Sequence, residues 1–195
     1  MNLLAELYPI EWYRERLAER AGPHDSNRRL AELVAAEFSP TSVIDLGAAT
    51  CAFANRMGEL GVEALAVDHL PQCSEFATAC RFMAHDLRTP FVTKEDFDLI
   101  TCWETIEHLP LCTEDVIVAT IMRLARRWVV LSISSSTAGY YHLNVKPREY
   151  WRTVFEREGL VYETERTRRL AKQIQADPLV PCPWFAENLS VWSVR

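Results

Sequence analysis

The chain has 195 residues, 49% hydrophobic and 25% charged, which is the balance of an ordinary globular domain long enough to bury a full core. A formal net charge of −6 argues against nucleic acid as the partner, since phosphates usually demand a basic face. Six cysteines without a C-x-x-C pair argue against a disulfide framework or thiolate zinc site, so reduced thiols and no metal are expected. No apolar run is long enough to span a bilayer, and Glu6 follows Met1 with no basic leader segment before it, so a cytoplasmic location without membrane contact is expected.

Residues 1–20 read as two helical pieces broken near Pro9, with apolar stripes at Leu3, Leu4 and Leu7 and at Trp12, Tyr13 and Leu17. A loop from Ala21 to Ser26 follows, where Asp25 or Ser26 can cap a helix striped by Leu30, Leu33, Val34 and Phe38. Residues 1–40 are thus expected as N-terminal helices, either packed on the surface or serving as a lid. Residues 41–195 are expected to form the main domain.

Val43 to Leu46 is a short β-type run, Gly47-Ala48-Ala49 a tight turn, and Phe53 to Leu60 has helical spacing. Ala64 to Asp68 is a second strand ending on an acid. This strand–turn–helix–strand unit opens a nucleotide-binding α/β sheet. Small residues at the turn admit a ligand close to the backbone, and Asp68 stands where an acid can accept both hydroxyls of a ribose. His69-Leu70-Pro71 turns away, a short helix runs to about Ala79, and Arg81 to Ala84 is a third strand before His85-Asp86-Leu87.

The fourth strand, Phe97 to Glu104, runs into Thr105-Ile106-Glu107-His108-Leu109-Pro110. Thr113 can cap the next helix, whose Val116, Ile117, Ile121 and Leu124 face the sheet. Trp128 to Ile133 is a near-continuously apolar fifth strand. A polar loop from Ser134 to Asn144 leaves its carboxyl edge, where open α/β sheets bind ligands. Pro147 starts a helix closed by Gly159, and Leu160 to Glu163 is a strand. Arg166, Arg168, Arg169 and Lys172 form a basic cluster that reads as a solvated face or as a seat for an anionic group. Asn188 to Ser193 alternates as a final strand.

Asp45-Leu46-Gly47, with an acid two residues before the glycine, resembles the first motif of class I S-adenosylmethionine (SAM)-dependent methyltransferases. The F-D-x-(two apolar)…E-x-x-E-H-(apolar)-P block from Phe97 to Pro110 resembles the small-molecule branch, including the ubiquinone-biosynthesis type. That resemblance implies a three-layer Rossmann-like fold. Its sheet would have seven strands, mostly parallel, with one antiparallel strand near the C-terminus inserted between the fifth and sixth. It implies SAM as cofactor, S-adenosylhomocysteine as product and a small-molecule acceptor methylated on oxygen or nitrogen. Cofactor contacts would come from Asp45, Gly47, Ala48, Ala49, Asp68, His69, Asp86 (toward the adenine amino group), Cys102 and Trp103.

For the acceptor, Tyr140, Tyr141 and Asn144 would line the approach. His142 is the candidate general base, because imidazole exchanges protons near neutrality and its loop lies on the ligand edge. Glu107 and His108 read as a hydrogen-bonded pair that shapes the loop. The family's usual motif carries glycines at two further alternate positions, filled here by Ala49 and Cys51. Alanine is accommodated there if φ stays negative, while cysteine adds bulk, so a weaker or shifted cofactor pose is an expectation too. Two alternatives stand beside the enzyme. One is a protein of this fold that binds a ligand or partner without methyl transfer. The other, ranked lower, is a nucleic-acid methyltransferase using the basic cluster.

Overall fold

The structure is a computed structural model that describes residues 8–18 and 23–195; the expected first helical piece with Leu3, Leu4 and Leu7 lies outside them. Helix α1 covers Ile10–Ala18 and α2 Pro23–Phe38, so the loop expected through Ser26 is already helical from Pro23. Ser26 does not cap it; the side chain is buried, with Oγ 3.6 Å from Cys182 Sγ. Strand β1 is Ser42–Leu46, α3 Ala52–Glu59, β2 Glu63–Asp68, β3 Arg81–Ala84 and β4 Phe97–Trp103. Then come α4 Glu114–Leu124, β5 Ala125–Ser132, α5 Arg148–Arg157, β6 Leu160–Tyr162, α6 Thr164–Ala176, the short α7 Trp184–Glu187 and β7 Leu189–Val194. The helix expected after Pro71 is a 3-10 turn, Pro71–Phe76. Among the described residues no helix is long and apolar enough to cross a membrane.

The strands form one sheet in the order β3-β2-β1-β4-β5-β7-β6. The first five are mutually parallel, and β7 runs antiparallel between β5 and β6, as the family resemblance implied. The order reverses between β1 and β4, and the carboxyl ends at that point are where such sheets take ligands. Central strands read as continuous apolar runs because both faces are covered; every residue of β1 and β4 is buried.

Side-chain alternation divides the core. Ile44, Leu46, Leu65, Val67, Ile100 and Cys102 face α4 and α5, which contribute Ile117, Ile121, Leu124, Val154 and Phe155. Val43, Ala64, Ala66, Leu99 and Trp103 face α2, α3 and α6. Leu30, Val34 and Phe38 recur every fourth residue on α2 and supply its buried stripe, as expected. Truncating any such fully buried Leu or Ile to Ala should destabilise by about 2–5 kcal/mol.

Thr113 precedes α4 without a capping bond from its side chain; its hydroxyl instead donates to the Pro110 carbonyl at 2.7 Å. The basic cluster on α6 is largely internally paired. Arg166 and Arg169 both hold Glu37, and Arg168 holds Glu165 at 2.8 Å. The Arg166 guanidinium also lies over the Trp128 ring at 4.7 Å. Of the two readings offered above, the solvated face fits this geometry better than a seat for an anion, since three of its arginines already hold carboxylates.

Candidate active site

A cavity of about 290 Å³ opens at the strand tips where the sheet order reverses. One wall is the turn after β1 together with the end of β2. Gly47 and Ala48 both donate their amides to the Val67 carbonyl at 2.9 Å, so the turn folds directly over the neighbouring strand. Gly47 has φ +80°, and a Cβ there would stand 2.3 Å from Thr105 Oγ1. Ala49 and Cys51 have φ of 48° and 56°, contrary to the expectation of negative φ at the alanine. The loop therefore keeps a glycine-type, left-handed backbone without the two glycines, at about 1–2 kcal/mol for each residue.

That backbone has a consequence for the acid. It turns the Ala49 amide toward Asp68 Oδ2 at 2.8 Å, while His69 Nδ1 lies 2.9 Å from Oδ1. Oδ1 also takes the Leu70 amide at 3.4 Å, so the lone pair left for a ligand is on Oδ2. Asp45 sits beneath the turn and takes the Thr101 hydroxyl at 2.7 Å. Burial raises its pKa to about 7, against the lowering effect of the Thr101 bond, and Asp68 adds a smaller raising effect.

The other wall is aromatic. Tyr8, Trp12 and Tyr13 come from the N-terminal segment, Trp103 from the tip of β4, and Trp184 and Phe185 from α7. Arg14 anchors α1 to the 3-10 turn through a two-point bond to Glu75 at 2.8 and 2.9 Å. Between the walls stand Glu104, Thr105 and His108. Glu104 is held by the Ser132 hydroxyl and by Asn188 Nδ2 at 3.0 Å, and burial raises its pKa. Glu107, wholly buried behind it, is pushed up to about 8, first by burial and then by the Glu104 charge. Its Oε1 accepts the Ser134 amide at 3.0 Å, and its backbone carbonyl accepts those of Leu143 and Asn144 at 2.7 and 2.9 Å. The loop-shaping role expected of Glu107 matches these bonds. His108 is lowered to about 4 by burial and then by the neighbouring His142 ring, so it is neutral at neutral pH.

The cavity thus collects Asp45, Gly47, Ala48, Ala49, Asp68, His69 and Trp103 from the candidates named by sequence. It does not collect the rest. Cys102 alternates to the opposite face of β4, fully buried, and burial keeps its thiol protonated. Asp86 binds Arg88 at 2.6–3.0 Å, and the following Leu87 reaches the wall in its place. Tyr140, Tyr141, His142 and Asn144 stand on the loop behind His108. The His142 ring meets that of His108 edge-on at 4.8 Å, and Asn144 bonds Glu114 at 3.3 Å. Asn27, Leu87, Thr105, Leu109, Trp184 and Phe185 line the cavity without having been singled out. Asn27, Trp184 and Phe185 come from distant segments that no local pattern marks, while Thr105 and Leu109 fall within the Phe97–Pro110 block and Leu87 follows Asp86.

Three buried polar atoms of this wall, Trp103 Nε1, His69 Nε2 and Asn27 Oδ1, have no partner within the protein. These atoms are closed off by the surrounding side chains rather than open to the cavity. Among the described residues, Asp45, Asp68 and Glu104 line the cavity with no lysine or arginine, which suits a ligand carrying positive charge, as do the aromatic faces.

A sheet of this order, with a strand-tip cavity and an acid closing β2, defines the Rossmann-like class I methyltransferase fold. The profile of the family described as "Methyltransferase domain" matches residues 13–167, and the chain belongs to that family. It is a SAM-dependent methyltransferase, with S-adenosylmethionine as its cofactor. Among solved structures, a TehB-like SAM-dependent methyltransferase from Corynebacterium glutamicum is similar over 100% of both chains, with a TM-score of 0.67 and 18% identity. The N-methyltransferase NodS from Bradyrhizobium japonicum, in complex with S-adenosylhomocysteine, is similar over 94% of this chain and 97% of its own, at 0.62 and 15%. Magnesium protoporphyrin IX methyltransferase from Synechocystis, with bound SAM, is similar over 82% and 80%, at 0.57 and 18%. No curated protein matches in sequence.

Proposed function

We propose that SAM lies along the β1–β2 wall and that a small-molecule acceptor is held against the aromatic wall, its oxygen or nitrogen receiving the methyl group. The observation that carries this reading is the cavity lined by acids and aromatic rings at the reversal of strand order. Asp68 would accept a ribose hydroxyl on Oδ2, beside the Ala49 amide, and Gly47 to Ala49 would pass close to the amino-acid half. His69 and Leu87 would flank the adenine, since Asp86 is committed to Arg88. Asp45 would hold the turn, and Trp103 would pack beside the reacting end.

When bound, the cofactor supplies an electrophilic methyl on a positively charged sulfur. The chain's task is then to hold the acceptor in line and keep water out. Tyr8, Trp12 and Tyr13, from the N-terminal part of the expected 1–40 segment, serve this as a lid over the 41–195 domain, while Pro23–Phe38 packs against the sheet. Proton removal from the acceptor falls to Glu104, a wall carboxylate whose pKa burial raises toward the useful range. His142, expected as the base, acts on this reading as a positioning residue behind His108. Tyr140, Tyr141 and Asn144 hold the same loop in place.

Calorimetric titration of SAM and S-adenosylhomocysteine tests the assignment, with Asp68→Ala as the partner measurement. Loss of this charge-assisted hydrogen bond should weaken binding by about 10-fold or more. Unchanged affinity in a folded Asp68→Ala protein, or no binding to the wild type, would sink it.

A further inference from the structure

We propose that a second cavity, beside the cofactor site, binds a small aromatic carboxylate. It measures about 100 Å³ and lies between α5 and the β5–β7–β6 side of the sheet. Among the described residues the two cavities share no lining residue. Asn188 is the partition: it lines the second cavity, and its Nδ2 donates to Glu104 of the first at 3.0 and 3.1 Å.

Two periodicities build the second cavity. Arg148, Trp151 and Arg152 are spaced i, i+3 and i+4 on α5, so they share one face of the helix. Tyr162 and Trp192 are directly paired residues of β6 and β7, so both side chains leave the sheet on the same side. Their ring centroids are 4.9 Å apart at an interplanar angle of 66°. Trp151 and Trp192 are buried while Arg148, Glu149 and Arg152 are exposed, so rings form the floor and charges the mouth. A closed apolar cavity of about 150 Å³ takes a benzene ring. A cavity of about 100 Å³ with an open mouth therefore seats one ring, with its charged head at the rim.

The rim decides the sign of that head. Arg152 is already engaged: Nε donates to Glu156 Oε1 at 2.9 Å, and the guanidinium lies over the Tyr162 ring at 4.9 Å. Arg148, one turn earlier, has no hydrogen bond or ion pair among the described residues. The three arginines of α6, by contrast, all hold carboxylates. A planar guanidinium with free donors takes a carboxylate through two parallel bonds. Glu149 is one acid against two arginines, so the wall favours an anionic head over a cationic one. The cofactor cavity has the opposite balance, acids without lysine or arginine among its described residues. The two cavities thus sort ligands by charge.

The test is titration of the full-length protein, without cofactor, with sodium benzoate. Calorimetry and the indole N–H resonances of Trp151 and Trp192 are the readouts. Benzylamine supplies the same ring with the opposite charge, and inorganic phosphate supplies negative charge without a ring. Benzoate is expected to bind at millimolar concentration or tighter and to shift both indole resonances, with benzylamine and phosphate each weaker by about 10-fold or more. Arg148→Gln should weaken benzoate binding by about 10-fold, and the residue is exposed, so the variant keeps its fold. No binding of benzoate overturns the proposal, as does an affinity that Arg148→Gln leaves unchanged. Phosphate binding as tightly as benzoate would reduce the site to a surface anion contact and overturn it too. So would benzylamine binding equally, or shifts centred on Gly47 to Ala49 instead of the two indoles. None of these readouts depends on methyl transfer.

Discussion

The two walls of the cavity are built in opposite ways. The β1–β2 wall is made by neighbours in sequence: one turn, Gly47 to Cys51, folds over the adjacent strand and bonds the acid at its end. The aromatic wall draws its rings from the N-terminal segment, the tip of β4 and α7 near the other end of the chain. The first wall is backbone held in an unusual conformation, so its chemistry tolerates few substitutions at the turn. The second is side chains on separate supports, which can be exchanged one at a time. A cofactor common to many enzymes suits the first construction, and an acceptor particular to one enzyme suits the second.

The largest effect expected of breaking the first wall is at Gly47. Alanine there must hold φ +80° and displace the Thr105 side chain. Strain and overpacking together should destabilise by roughly 2–4 kcal/mol, read by urea denaturation. A change of less than about 0.5 kcal/mol would mean the turn relaxes freely and is not the rigid element described.

A smaller effect, visible only against pH, is expected at Asp45. Its folded pKa of about 7 lies above the ordinary carboxylate value, so the native state holds the proton more tightly than the unfolded chain. Stability from this group is therefore present at acid pH and lost as pH rises from about 4 toward 7. Asp45→Asn removes that loss. The variant should match the wild type near pH 4 and exceed it at pH 8 by about 2 kcal/mol, roughly 5 °C in Tm. An equal offset at both pH values would contradict the buried-acid account.

The smallest effect sharpens the comparison. Ala49→Gly relieves a left-handed alanine, while adding unfolded-state entropy. The net gain should be about 0.5–1 kcal/mol, with cofactor affinity retained. A loss of stability would show that the alanine methyl is needed where it stands.

The same contrast explains what could be read from the sequence. The strand–turn–helix–strand unit, Asp68 at its tip and the extent of β4 were legible because each is a local pattern with a short-range cause. The antiparallel β7 between β5 and β6 was available only through family resemblance, since strand order is a long-range property. Cys102 was misplaced relative to the cavity by one step of strand alternation, which puts Trp103 at the site and the thiol in the opposite core. The positive φ at Ala49 and Cys51 was illegible because neither residue type announces it. Trp184, Phe185 and Asn27 reach the site by tertiary packing alone.

The central claim is that the turn after β1 and the tip of β2 hold the cofactor while the His142 loop does not. Amide chemical shifts measured as S-adenosylhomocysteine is added test it directly. The account predicts the largest changes at Gly47, Ala48, Ala49, Asp68, His69 and Leu87, and small ones from Gly139 to Asn144. Changes centred on the His142 loop or on α6, or none at saturating ligand, would contradict it.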